Sequence, residues 1–326
     1  MHLDRRLLGW GGFFVIAGAI PLAVRGGVLD TGLVSQWLSL WPILLIGWGL
    51  GLILRRTPLE WIGGAVTVVV LGVMAGGALS TGLRGVPFAT SCGDGTGGSA
   101  FATQRGTFTE AGQLNLEFNC GALAIAPVGG SEWSVAGTDA DGRVPRIETA
   151  GTRVTIEQAE RSSFFGDAGG ARWDVGLPTD PDLDLGITLN AGDGTANLAG
   201  ATISTLNLNV NAGSFRVDAS GAAALGDVNA SLNAGSATLL LPAGDRLANL
   251  SMNAGSLDVC LPPDTPVRVA WSSTLGSNNF DDAGMVSVDD TTWTSAGFDP
   301  SASHLELRVS VTAGSFGLVF GSGCND

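Results

Sequence analysis

The sequence predicts an all-β C-terminal domain, a β-solenoid or parallel β-helix-like stack with repeats of about 21 residues, behind an N-terminal region of three transmembrane helices. Three observations predict it. The tripeptide Asn-Ala-Gly recurs at Asn190, Asn211, Asn233 and Asn253, with spacings of 21, 22 and 20 residues. A fixed period of this size marks a chain that stacks one structural unit on the next. Each copy sits between runs of alternating apolar residues, the period of a half-buried strand. Finally, three apolar runs precede position 84, each near the length of about 20 residues that crosses a bilayer.

The spans are read at about 7–24, 37–54 and 61–83. Two further spans follow the first, so it is not read as a cleaved signal. Trp10, Trp37, Trp41 and Trp61 stand near run ends, where interfacial anchors occur. Pro21 and Pro42 lie within or beside spans, a position neighbouring helices can accommodate. Arg5 and Arg6 precede the first span, and Arg55 and Arg56 separate the second from the third. The positive-inside rule then puts the N-terminus in the cytoplasm and, after three crossings, the C-terminal domain outside it.

Residues 85–112, with the run Ser91 to Ser99 rich in glycine and serine, read as a flexible linker. Residues 113–160 read as an N-terminal β module with strands at Leu114–Phe118, Glu132–Ala136 and Arg153–Gln158. An irregular loop at 161–172 holds Phe164 and Phe165, either a contact point or a plug folded over the end of the core. Residues 173–321 form the repeat domain.

One copy shows the grammar of a rung. Leu206, Leu208, Val210 and Ala212 alternate with Asn207, Asn209 and Asn211, and after Gly213-Ser214 the apolar set resumes at Phe215 and Val217. The parity has switched from even to odd. A strand that bends at Gly-Ser and keeps its inner face inward gives this switch, because glycine adopts the backbone angles of a corner and asparagine hydrogen-bonds nearby backbone. Asn190 with Gly192, Asn211 with Gly213, Asn233 with Gly235 and Asn253 with Gly255 are therefore read as structural corner residues. Another copy has Thr312 in the asparagine slot, and a diverged one runs from Leu114 to Ile125. Residues 262–304 fit the period poorly and read as a loop. The aligned asparagines read as turn chemistry and stacked amides rather than a metal ladder, since no glycine-aspartate nonapeptide of the calcium-binding kind is present.

From residue 85 onward there are 27 acidic residues against 10 arginines and no lysine. Such a surface repels nucleic acid and other polyanions. Four cysteines are present. Cys120 takes the slot that alanine fills in other copies and reads as a buried thiol, whereas Cys260 alternates with inward Val259 and Leu261 and should face out. Cys92 and Cys324 flank the folded region and are the pair proposed to staple its ends, as an extracytoplasmic location would permit.

Signals for catalysis are weak. Asp281, Asp282, Asp289 and Asp290 are the carboxylates that could serve a glycoside hydrolase, but paired aspartates in a loop also serve as solvated turn residues. The outer part holds one histidine, His304, no Gly-x-Ser-x-Gly motif, no phosphate-binding loop with lysine and no Cys/His set with zinc spacing. No enzyme activity, metal or cofactor is expected.

The glycine-rich spans with Leu40-Trp41-Pro42-Ile43-Leu44-Leu45-Ile46-Gly47 resemble the membrane region of LiaI/LiaF-like bacterial proteins. The stretch Gln113 to Leu123, closing with Arg153 to Gln158, resembles the N-terminal module of the toast-rack family. The segment from Trp173 through Leu185 into the repeats resembles that family's following module and, more loosely, adhesin-like β-solenoids. The resemblance implies a bacterial envelope protein with a β-rich repeat domain. LiaF-like relatives are associated with sensing envelope damage and restraining a two-component histidine kinase. Their pattern has four spans and a cytoplasmic C-terminal domain, and this chain departs from it with three. The function expected is non-enzymatic sensing or regulation of envelope stress. The alternative is an adhesin-like display protein that binds wall polymer or another surface component. The partners expected are the membrane and either a membrane signalling protein or a cell-wall component, with no nucleic acid; the oligomeric state is left open.

Overall fold

A rung is two strands joined at a glycine corner, and the registers between rungs show why the apolar pattern repeats. In the computed structural model the described residues are 97–159 and 170–321, with Cys92, Val69 and Leu71. The chain divides into two compact units, Met1–Ser91 and Cys92–Asp326. Val69 and Leu71 are helical. The rest of the expected spans lies outside the described residues, among which no helix is long and apolar enough to cross a membrane.

The second unit opens with β1 (Ser99–Ala100) and β2 (Gln104–Thr107), then the first rung, β3 (Gly112–Phe118) and β4 (Gly121–Val128). β5 (Glu132–Asp139) and β6 (Arg146–Ala150) follow, then a rung of β7 (Arg153–Glu157) and β8 (Ala171–Pro178). Next come rungs of β9 (Asp182–Leu189) with β10 (Gly192–Asn197), and β11 (Thr202–Val210) with β12 (Gly213–Asp218). In β13 (Ala224–Leu240) and β14 (Arg246–Leu261) pairing runs on through the corner. β15 (Val267–Asn278), the short β16 (Val286–Ser287) and β17 (Thr292–Thr294), and β18 (Leu305–Phe320) complete the chain.

Neighbouring rungs pair in parallel and in register. Leu206, Leu208 and Val210 lie beside Leu185, Ile187 and Leu189 on one side and Val228, Ala230 and Leu232 on the other. The ladder continues through Ala248, Leu250 and Met252 to Leu307, Val309 and Val311. All of these side chains are buried, as are Phe215, Val217, Leu239, Val259 and Leu318 beyond the corner. The parity switch read at Gly-Ser is thus the turn between two walls of one core. The corner alanines are the exception: Ala212, Ala234 and Ala254 are exposed, because the corner carries that residue outward.

The order of rungs in space departs from their order in the chain at both ends. β3 and β4 insert between the rung β7–β8 and the rung β9–β10. β18 inserts between β14 and β15. Antiparallel strands then cover the outer rungs. β6 pairs with β7 and β5 with β8 at one end, and β17 pairs with β15 at the other. A parallel stack leaves an open strand edge at each end, and such edges invite aggregation unless covered. Phe280, fully buried, packs against Trp271, Trp293 and Phe316 at 5.3 to 5.8 Å and closes the C-terminal end of the core.

Several expectations change. The linker read at 85–112 ends in two strands, and its Phe101 and Phe108 are buried. The boundary read at 160/173 is not a break in the sheet, since β3 pairs with β9 from Gly112↔Leu183 to Phe118↔Leu189. Within the loop read at 262–304, Val267–Asn278 is a further rung in register with β18. Its period was hidden because β18, the coil it pairs with, comes after it in the chain.

The pairing proposed for Cys92 and Cys324 is corrected: Cys92 is disulfide-bonded to Cys120, with their Cα atoms 5.1 Å apart. Cys120 precedes Gly121 at the half-buried corner of its rung, where a side chain turns outward and can be reached, so it is not a buried free thiol. Cys260 is also disulfide-bonded and is 4% exposed, although its parity is outward. Cys324 lies outside the described residues, as do Phe164 and Phe165.

Candidate functional site

Regular stacking turns each outward position into a column of like side chains, and two columns of amides result. At the corner, Asn253 Nδ2 donates to Asn233 Oδ1 at 2.7 Å, and Asn233 donates to Asn211 at 2.5 Å. Asn211 donates to Asn190 at 2.6 Å, and Asn190 to Asn119 at 2.7 Å. Gln158, 5% exposed, terminates this ladder: its Oε1 accepts from the backbone N–H of Asn119 at 2.7 Å and of Cys120 at 2.9 Å. Asn190, Asn211 and Asn233 each give and receive a bond within the column. The corner amides are thus spent on one another along the stack. Among the described residues no cluster of three His, Cys, Asp or Glu side chains could hold a metal ion.

The corner glycines are aligned in the same way. Gly192, Gly213, Gly235 and Gly255 have φ of +114°, +122°, +122° and +128°. Their register, Gly121↔Gly192↔Gly213↔Gly235↔Gly255↔Gly314, brings backbone against backbone.

The second column lies on the outer face of the wall formed by β11, β13, β14, β18 and β15. Asn207, Asn229 and Asn249 are in register, with Asn229 donating to Asn207 at 3.1 Å and Asn249 to Asn229 at 3.0 Å. Asn209, Ser231, Ser251, Ser310 and Ser272 form a parallel column two residues along. The Asn207 column and this serine-rich column line one trough of about 650 Å³. Ala270 and Thr291 line its C-terminal end, where the backbone N–H of Trp271 donates to the Thr291 carbonyl at 2.7 Å. Among the described residues Arg308 is the one cation lining it, and its guanidinium is held by Glu306 at 2.9 Å. No carboxylate among the described residues lines it. The trough can hydrogen-bond a polar ligand through its amides and hydroxyls.

The carboxylates weighed for catalysis are not among the described residues lining the trough, although Asp289 is bonded to Thr291 at its rim. Asp289 accepts from the Thr291 N–H at 2.8 Å and the Thr291 hydroxyl at 2.9 Å, which holds its carboxyl below the usual range. Asp299 does the same with Ser301. Both are turn acceptors. Asp281, Asp282 and Asp290 are exposed. His304 sets Nδ1 2.8 Å from the Ala302 carbonyl and its ring edge-on to Phe298. Burial raises the Asp258 carboxyl, but that residue is on the opposite wall, over Gly317. A second cavity of about 440 Å³ lies among the loops at the C-terminal end, lined by Pro263, Thr265, Met285, Phe298 and Phe320 among others.

The trough residues were not singled out from the sequence, though a signal was there. Asn207, Asn229 and Asn249 are separated by 22 and 20 residues, the same steps that separate Asn211, Asn233 and Asn253.

Residues 102–241 match the family model described as the N-terminal domain of toast_rack, DUF2154. This span runs from just before β2 through β13. No curated protein matches the chain. Among solved structures, a candidate cell-adhesion protein from Clostridium sporogenes is 13% identical over 68% of this chain and 99% of that one, with a TM-score of 0.41. A candidate adhesin from Bacteroides fragilis is 9% identical over 69% and 99%, with a TM-score of 0.23. One from Parabacteroides distasonis is 11% identical over 69% and 99%, with a TM-score of 0.25. Likeness at this level carries no argument about function.

Proposed function

We propose that this chain, which carries a toast-rack domain over residues 102–241, is a non-enzymatic, membrane-anchored protein of the bacterial envelope. Its solenoid stands outside the cytoplasm, and it takes part in regulating the response to envelope stress. The observation that carries this reading is the bonded state of the cysteines. Cys92 is joined to Cys120, and Cys260 is bonded as well. Disulfides persist in oxidising compartments and are rare in the cytosol. Arginine placement around the spans supports the same side.

Placement and regulation are tested separately. Protease added to intact spheroplasts should remove a C-terminal tag; protection of the tag until lysis would put the solenoid in the cytoplasm and end this reading. Deleting residues 85–326 should change the output of an envelope-stress reporter while the truncated protein still inserts. An unchanged reporter would rule out a regulatory role for the solenoid. The Gly47/Gly51 and Gly72/Gly76 pairs suit close packing of the spans against a membrane partner.

The trough favours a second reading, in which the solenoid is displayed to bind wall polymer or another component of the cell surface.

A further inference from the structure

We infer that the trough on the outer wall is a binding site for a neutral, polyhydroxylated chain, an oligosaccharide, laid across the strands. This deepens the display reading and rests on the solenoid lying outside the cytoplasm.

The first ground is the hydrogen-bonding capacity left over by the ladder. A primary amide has two N–H donors and an oxygen with two lone pairs. Asn229 spends one donor on Asn207 and one lone pair on Asn249. The remaining donor and acceptor of such an amide are unused by the column, and they recur from rung to rung at the strand spacing of about 4.8 Å. Ser231 and Ser310 set hydroxyls beside them that can donate and accept, and Ser251, whose hydroxyl donates to the Ala230 carbonyl at 3.5 Å, keeps its acceptor lone pairs. A row of groups that both donate and accept suits a ligand whose own groups do the same, and the hydroxyls of a sugar chain are of that kind. Because the column amides are held by one another, little side-chain freedom remains to be lost on binding.

Charge is the second ground. The part of the chain beyond residue 84 has 27 acidic residues against 10 arginines, yet among the described residues no carboxylate lines the trough. Two carboxylates that border it, Glu306 and Asp289, are engaged by Arg308 and Thr291. A polyanion would meet a repelling domain, with the single lining guanidinium already held by Glu306.

The third ground is what the trough lacks. Protein interfaces are anchored by large apolar and aromatic side chains. Of its large apolar lining residues, Leu250 and Val309 are buried in the inward ladder and Trp271 packs against Phe280 and Phe316, while the exposed Leu275, Val286 and Val288 are not among the described residues that line it.

The test uses the full chain in lipid nanodiscs, titrated calorimetrically with three hexasaccharides: the neutral β-1,4 oligomers of N-acetylglucosamine and of glucose, and the anionic oligomer of galacturonic acid. At least one neutral hexamer should bind and the anionic one should not. Ser251→Glu and Ser310→Glu, both at exposed positions in the trough, should each weaken binding at least about ten-fold. Ser315→Glu, on the same rung as Ser310 but on the opposite wall, should leave it unchanged. Thermal melting of each variant shows that the solenoid is folded. The inference is overturned if folded protein binds neither neutral hexamer, if the anionic hexamer binds more tightly, or if Ser315→Glu weakens binding as much as the trough variants. The spheroplast result is independent of all three, so failure of the site and failure of the location are told apart.

Discussion

Gly235→Ala is expected to destabilise the solenoid by about 3–5 kcal/mol, enough to unfold several rungs in a protein of ordinary stability. Two costs add. Gly235 has φ of +122°, a conformation that side-chain-bearing residues rarely adopt. An added Cβ would also sit 1.9 Å from the Gly213 carbonyl oxygen, which is backbone and cannot swing aside. The same approach recurs at Gly213 against Gly192 and at Gly255 against Gly235, so relief at one rung must displace the next. Gly129→Ala is the control, since no heavy atom lies within 4 Å of a Cβ there and its φ is not positive. Chemical denaturation of both variants measures the difference. A Gly235→Ala midpoint equal to that of Gly129→Ala would show that the corner backbone is not the constraint described here.

Leu208→Asp should unfold the rungs around it, while Asn209→Asp should be mild. Leu208 is 1% exposed and stands between Ile187 and Ala230 in the inward ladder. Truncating a buried leucine alone costs about 2–5 kcal/mol. A carboxylate at that site adds the cost of an ionised group in an apolar core with no partner. Asn209, one residue on, is exposed, and a change there should stay within about 0.5 kcal/mol. Thermal melting followed by circular dichroism compares the two, and equal melting temperatures would refute the inward and outward assignment. Each rung buries its apolar face only against its neighbours, so the loss should spread along the stack instead of remaining at one strand.

The corner residues Asn190, Asn211, Asn233 and Asn253 were legible in the sequence because identical rungs place identical demands on each corner, and those demands repeat at the period of the stack. The inward and outward sides of each strand were legible for the same reason: burial selects every second residue, so Leu206, Leu208 and Val210 announce the inner wall by themselves. The family resemblance over the first rungs was also carried by local pattern, and the match over residues 102–241 bears it out.

Other features depended on residues distant in the chain. The pairing of Cys92 with Cys120 follows from the corner of the first rung turning outward, which parity alone does not reveal. The insertion of β3–β4 between later rungs, and of β18 between β14 and β15, is a choice of neighbours that each strand's own pattern leaves undetermined. The trough belongs to the same class. Asn207, Ser231 and Arg308 are ordinary outward residues of three different strands, and only the register makes them neighbours. Periodicity in a sequence thus determined which way side chains point, because burial acts on each strand locally. Which side chains meet was decided by the tertiary structure, because hydrogen bonds between strands join residues that no local pattern relates.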